Sequence, residues 1–147
     1  MIEIPENLLG DTVDQGSITV TREMIREYAA AASDQETLAG ACTVAPPSFV
    51  FTMRRQLVPH VPLPPGTFAV FAGHDLVFHD VVRADHTYRM TARLTDVYEK
   101  SGRSGALTVI VRTALVATET GEPVVEITER QIVRPKSPHG AATQGAQ

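Results

Sequence analysis

Apolar and polar positions along this chain follow two different periods. In the first third, Met24, Ile25, Tyr28, Ala29 and Ala32 recur at spacings of three and four, which places them on one face of a helix. Thr21 opens that helix as an N-cap with Glu23 in its first turn, and the stripe runs out near Ser33. Pro46, Pro47 and Ser48 restart helical structure, because proline fits a first turn where its missing amide hydrogen is not needed. Phe49, Val50, Phe51, Met53 and Leu57 make the second helix apolar nearly all round until Arg54 and Arg55. Such a helix is buried.

From Thr67 onward the period becomes that of strands. Residues 68–82, 86–100, 106–120 and 124–135 read as four long strands, with SGRSG at 101–105 as a hairpin turn and Gly121-Glu122-Pro123 as another turn. Ser17–Val20 is a further short strand. Between the helical and strand regions, residues 57–66 hold four of the ten prolines and form a stiff irregular loop carrying His60. Helices first and strands afterwards predict an α+β architecture, an antiparallel sheet curved around a central apolar helix. A lone sheet of that size has an edge to protect, so the pattern also predicts a dimer.

Composition narrows this picture. At 147 residues the chain has the size of one domain, expected over 1–135, followed by a tail at 136–147 without apolar periodicity that is expected to be disordered. The 43% hydrophobic and 20% charged content exclude a disordered chain, and a net charge of −4 excludes a sequence-independent grip on nucleic acid. One cysteine, Cys42, excludes an internal disulfide and suits a reducing cytoplasm. The opening MIEIPENLLGD has neither a basic start nor an apolar core, and no apolar run approaches the roughly 20 residues that cross a bilayer. A soluble cytoplasmic protein without a membrane partner is expected.

Candidate chemistry concentrates in a few places. The turn Ser33-Asp34-Gln35-Glu36-Thr37 interrupts an apolar stretch. It reads either as polar helix punctuation or as a place where acid–base chemistry is done. His74 and His79 lie five residues apart on one strand and therefore point to opposite faces. His60 stands on a loop from which a side chain is easily aimed at a ligand, and His86 opens the next strand. His74, Asp75, His79 and Asp80 do not share one face and no cysteine pair accompanies them, so no metal is expected. SGRSG joins two strands rather than a strand to a helix, so it is no phosphate loop, and no cofactor is expected.

The succession TREMIREYAAAASDQ (21–35), APPSFVF (45–51), GHDLVFHDVVRAD (73–85), TDVYEKSGRSGALTVIV (95–111) and TGEPVVEITERQIVR (120–134) resembles the MaoC-like, (R)-specific hydratase and dehydratase family of hotdog fold. The likeness is to its N-terminal, fatty-acid-synthase-type dehydratase half. That resemblance implies acyl thioesters of coenzyme A or acyl carrier protein as partners. It also implies a homodimer, or a heterodimer with another hotdog chain, and the addition or removal of water at a 2-enoyl or 3-hydroxyacyl group.

Catalytic members resemble Gly-Asp-x-Asn-Pro-x-His at the turn; here Ser33 replaces the Gly, Asp34 matches the Asp, and Glu36, Thr37 and Ala39 stand at the Asn, Pro and His. Acid and base must flank one site, so the resemblance implies Asp34 with a relocated histidine, His74 or His60. It further implies a substrate-binding set of Pro47, Ser48, Phe49, Phe51 and Phe71, with the Ser48 and Phe49 amides offered to the thioester oxygen. Michael-type addition, cyclisation and thioester hydrolysis would use the same parts. The alternative is a non-catalytic acyl-binding subunit whose partner chain bears the complete Asp and His.

Overall fold

The computed structural model describes residues 8–53, 59–103 and 105–136. The expectations for Arg54, Arg55 and Leu57, for the opening residues 1–7 and for the tail from 137 lie outside those residues.

The elements run in the order β1 (Thr12–Val20), α1 (Arg22–Ala31), α2 (Gln35–Ala39), a 3-10 turn (Pro47–Phe49) leading into α3 (Val50–Met53), then β2 (Thr67–Phe78), β3 (His86–Gly102), β4 (Gly105–Thr118) and β5 (Pro123–Pro135). β1 starts five residues before the expected Ser17, and β2 ends at Phe78 rather than 82. The regular register with β5 ends at Phe78 and Val125, and His79 and Asp80 then both donate their amides to the Val124 carbonyl as the chain turns away.

α1 begins where the Thr21 hydroxyl accepts from the Met24 amide at 3.1 Å, and it buries Ile25 and Ala29. It ends in two reversed bonds, Ser33 N–H to the Ala30 carbonyl and Asp34 N–H to the Ala29 carbonyl, with Ser33 at φ 55. This is a Schellman closure, whose left-handed residue favours glycine.

All strand pairs are antiparallel, and the sheet order is β1-β3-β4-β5-β2. β3, β4 and β5 are therefore interior while β1 and β2 are edges. Phe49, Val50 and Met53 pack on one face of the sheet against Tyr88, Met90, Ala92, Ala114, Val116, Val125 and Ile127, which makes the central helix the plug of the main core. Phe51 departs from the all-round burial expected for this helix, since it is 37% exposed. It turns away from the sheet centre toward β2.

The long edge strand β2 carries a bulge at Ala72, where Phe71 pairs with Gln131 and Gly73 with Arg130. One extra residue reverses the alternation. Phe71 before the bulge and His74 after it thus share the helix side of the sheet, and Gly73 takes φ 123 at the kink.

Candidate functional site

Asp34 is positioned by the Schellman closure of α1 and serves as the N-cap of α2, a helix that the sequence pattern did not predict. Its two oxygens are both engaged by one residue: Oδ1 accepts from the Thr37 amide at 3.1 Å and Oδ2 from the Thr37 hydroxyl at 2.7 Å. The hydroxyl bond first, and then the amide bond, hold the Asp34 carboxyl below the usual carboxylate range. A carboxylate stabilised in this way is a poor proton donor and a weak base. Glu36 and Ala39, on the same short helix, are exposed. The turn at 33–37 thus forms the N-terminal cap of α2.

The expected binding residues separate. Phe49 is 2% exposed and meets Tyr28 edge-to-face at 5.6 Å, so it belongs to the core. Its amide donates to the Pro46 carbonyl at 2.9 Å, which removes it from the pair offered to a thioester oxygen. The Ser48 hydroxyl is tied to the Tyr28 hydroxyl. Pro47 lines an apolar cleft of about 310 Å³ with Pro46, Val50, Phe78 and Val81. His60 is exposed on the loop, next to buried Pro59 and Val61.

His74 takes a different course. Its Nε2 donates to Glu129 Oε2 at 3.0 Å, and its ring lies 4.6 Å from that of Phe51 and 4.5 Å from that of Phe71. The His74 side chain is 24% exposed while that of Glu129 is 4% exposed. Glu129 stands between two cross-strand partners, His74 on β2 and Arg112 on β4. Arg112, itself 3% exposed, donates from Nε to the Pro59 carbonyl at 2.8 Å and from Nη1 to Gln131 Oε1 at 2.6 Å. A row of ionisable groups thus crosses three strands on the helix side of the sheet, beneath the loop at 59–61.

The opposite side carries a separate pair, His79 Nε2 to Glu126 at 2.7 Å. Asp34 and His74, proposed from sequence as one acid–base set, belong to two separate hydrogen-bonded groups here.

Glu129 and Arg112 escaped the sequence reading, although the signal was present. Along β5 the inward positions run Val125, Ile127, Glu129, Gln131, Val133, and along β4 they run Ile110, Arg112, Ala114, Val116. A charged residue at an inward position of each of two neighbouring strands is the mark of a paired buried site.

Among the described residues no three His, Cys, Asp or Glu side chains converge as metal ligands, and no helix is long and apolar enough to cross a membrane.

An antiparallel sheet whose core is plugged by a short central helix is the hotdog fold. Residues 7–127 match the family described as "FAS1-like, dehydratase domain region", and the chain belongs to that family.

Solved structures agree on the fold. A chain of the C-terminally truncated HadBC (3R-hydroxyacyl-ACP dehydratase) complex of Mycobacterium tuberculosis superimposes with a TM-score of 0.61 at 22% identity, covering 85% of this chain and 96% of that one. The ChsH1-ChsH2 complex of the same organism matches at 0.64 and 17% identity, over 90% and 86%. The unliganded R-hydratase PhaJ1 of Pseudomonas aeruginosa matches at 0.56 and 17%, over 88% and 83%. No curated protein matches the sequence.

Proposed function

We propose that this chain is the acyl-binding subunit of a two-chain dehydratase or hydratase acting on acyl thioesters, and that a second hotdog chain supplies the acid–base pair. In such a reaction a base removes the proton on the α-carbon and an acid protonates the β-hydroxyl, which leaves as water while the double bond forms; hydration is the reverse. The observation that carries the reading is the turn at 33–39. Both Asp34 oxygens are engaged by Thr37, and Ala39 occupies the position at which the family pattern has its histidine.

Two further observations support it. The edge strand β2 exposes Phe68, Val70, Val77 and Phe78, each at 40% or more, an apolar margin that another sheet would cover. Structural neighbours include chains from complexes of two named components, HadBC and ChsH1-ChsH2.

Hydration of crotonyl-CoA, followed by loss of enoyl-thioester absorbance, tests the reading. The chain alone is expected to be inert and to support turnover when combined with a MaoC-like chain bearing the full Asp and His. Asp34→Asn should leave that rate unchanged. Turnover by the chain alone that Asp34→Asn abolishes would overturn the proposal. One observation favours a second reading, a self-sufficient enzyme: His74 with its buried carboxylate partner has the form of an oriented general base. Activity of the lone chain that survives Asp34→Asn and disappears in His74→Phe would select it.

A further inference from the structure

The His74 row differs from an ordinary buried ion pair in how it ends. Arg112 and Glu129 face each other in the strand register, both almost fully buried, and Arg112 is held at its far side by the Pro59 carbonyl and Gln131. Charge balance within the core does not require a histidine. Yet Glu129 also fixes His74, and His74 is the member of the row that reaches the surface. Because Nε2 faces a carboxylate oxygen at 3.0 Å, it carries a hydrogen; the other ring nitrogen, Nδ1, has no hydrogen-bond partner among the described residues.

That nitrogen accepts a hydrogen bond when the ring is neutral and donates one when it is charged. Against the ring stand Phe51, 37% exposed, and Phe71, 55% exposed. The arrangement is a single oriented polar atom in an aromatic patch, with its tautomer set from behind by a buried carboxylate, as in sites built to recognise a ligand group.

We propose that His74 is a specificity-determining contact for the acyl group. The aromatic patch would receive acyl thioesters whose chain bears an oxygen substituent remote from the thioester, a hydroxyl or a carbonyl, in preference to plain alkyl chains. Phe51 and Phe71 cover the methylenes, while His74 bonds the oxygen as acceptor or donor. Glu129 and Arg112 are positioning residues that keep the ring in place. This inference rests on the acyl-binding reading given above.

Calorimetric titration of the purified full chain with octanoyl-CoA and with 8-hydroxyoctanoyl-CoA tests it. The hydroxylated ester is expected to bind up to roughly tenfold more tightly, the upper end of what one hydrogen bond between neutral groups contributes. His74→Phe should bring the two affinities together by weakening only the hydroxylated ester, and His74→Gln, which keeps a hydrogen-bonding head of similar reach, should retain part of the preference. Equal affinities in the native chain, or a preference that persists in His74→Phe, would overturn the proposal while leaving the acyl-binding reading intact. Binding of neither ester would remove that reading, and this one with it.

Discussion

Replacing Arg112 by methionine probes the buried row directly. The side chain is enclosed at 3% exposure, so no water replaces its contacts at low cost. Removal of the guanidinium strands the Pro59 carbonyl and the Gln131 amide oxygen, at 2.8 and 2.6 Å, and takes the opposing cation from Glu129. Hydrogen bonds to a charged donor contribute about 1.5–3 kcal/mol each, and breaking a buried pair on one side costs about 3–5 kcal/mol in total. The lower figure already removes a fifth or more of the roughly 5–15 kcal/mol that holds a domain folded.

The paired variant Arg112→Met with Glu129→Leu separates charge stranding from lost packing. It deletes both charges together, and His74, a quarter exposed, can turn to solvent. Urea unfolding of the native chain, both single variants and the double variant closes the cycle. The double variant is expected to be at least about 2 kcal/mol more stable than the sum of the single losses predicts. Additive losses, or a single-variant cost under about 1 kcal/mol, would show that the row is not a coupled buried network.

Other consequences are open to equally direct measurement. Phe49→Ala empties the centre of the plug and should cost about 3–5 kcal/mol by urea unfolding; a loss under about 1 kcal/mol would mean that the plug does not hold the sheet. Val77→Lys places a charge on the apolar margin of β2 and should shift any assembly toward monomer in sedimentation velocity, with secondary structure unchanged by circular dichroism. Asp14, Asp34 and Asp80 all hold their carboxyls below the ordinary range, through hydrogen bonds chiefly from Gly16, Thr37 and Arg83 respectively.

A lowered carboxyl pKa contributes stability that is present above its unfolded value and is lost as the pH falls through the folded one. Unfolding midpoints should therefore drop increasingly below about pH 4. Asparagine caps a helix nearly as well as aspartate but does not titrate. Asp34→Asn should thus differ most from the native chain at neutral pH and least in acid; parallel profiles would contradict the role of Thr37.

The sequence by itself determined the order of the strands, the helix α1 with its Thr21 cap, the apolar plug after the double proline, and the hairpin that joins β3 to β4, but not α2. Each of these depends on neighbours within a few residues, where period and capping chemistry act directly. It also showed that Ala39 stands in place of a histidine. Tertiary structure decided how Asp34 is held. Only the fold shows both Asp34 oxygens engaged by Thr37, because a cap and a catalytic acid look alike along the chain.

The bulge at Ala72 was likewise invisible to strict alternation, and it is what brings His74 to the side of Phe51. Pairing of β2 with β5, 55 residues from His74 to Glu129, is a matter of long-range register that no local pattern encodes. Burial of Arg112 and Glu129 follows from the same cause: a charge is costly inside a core unless another strand delivers its partner, and only the assembled sheet shows which strand does so.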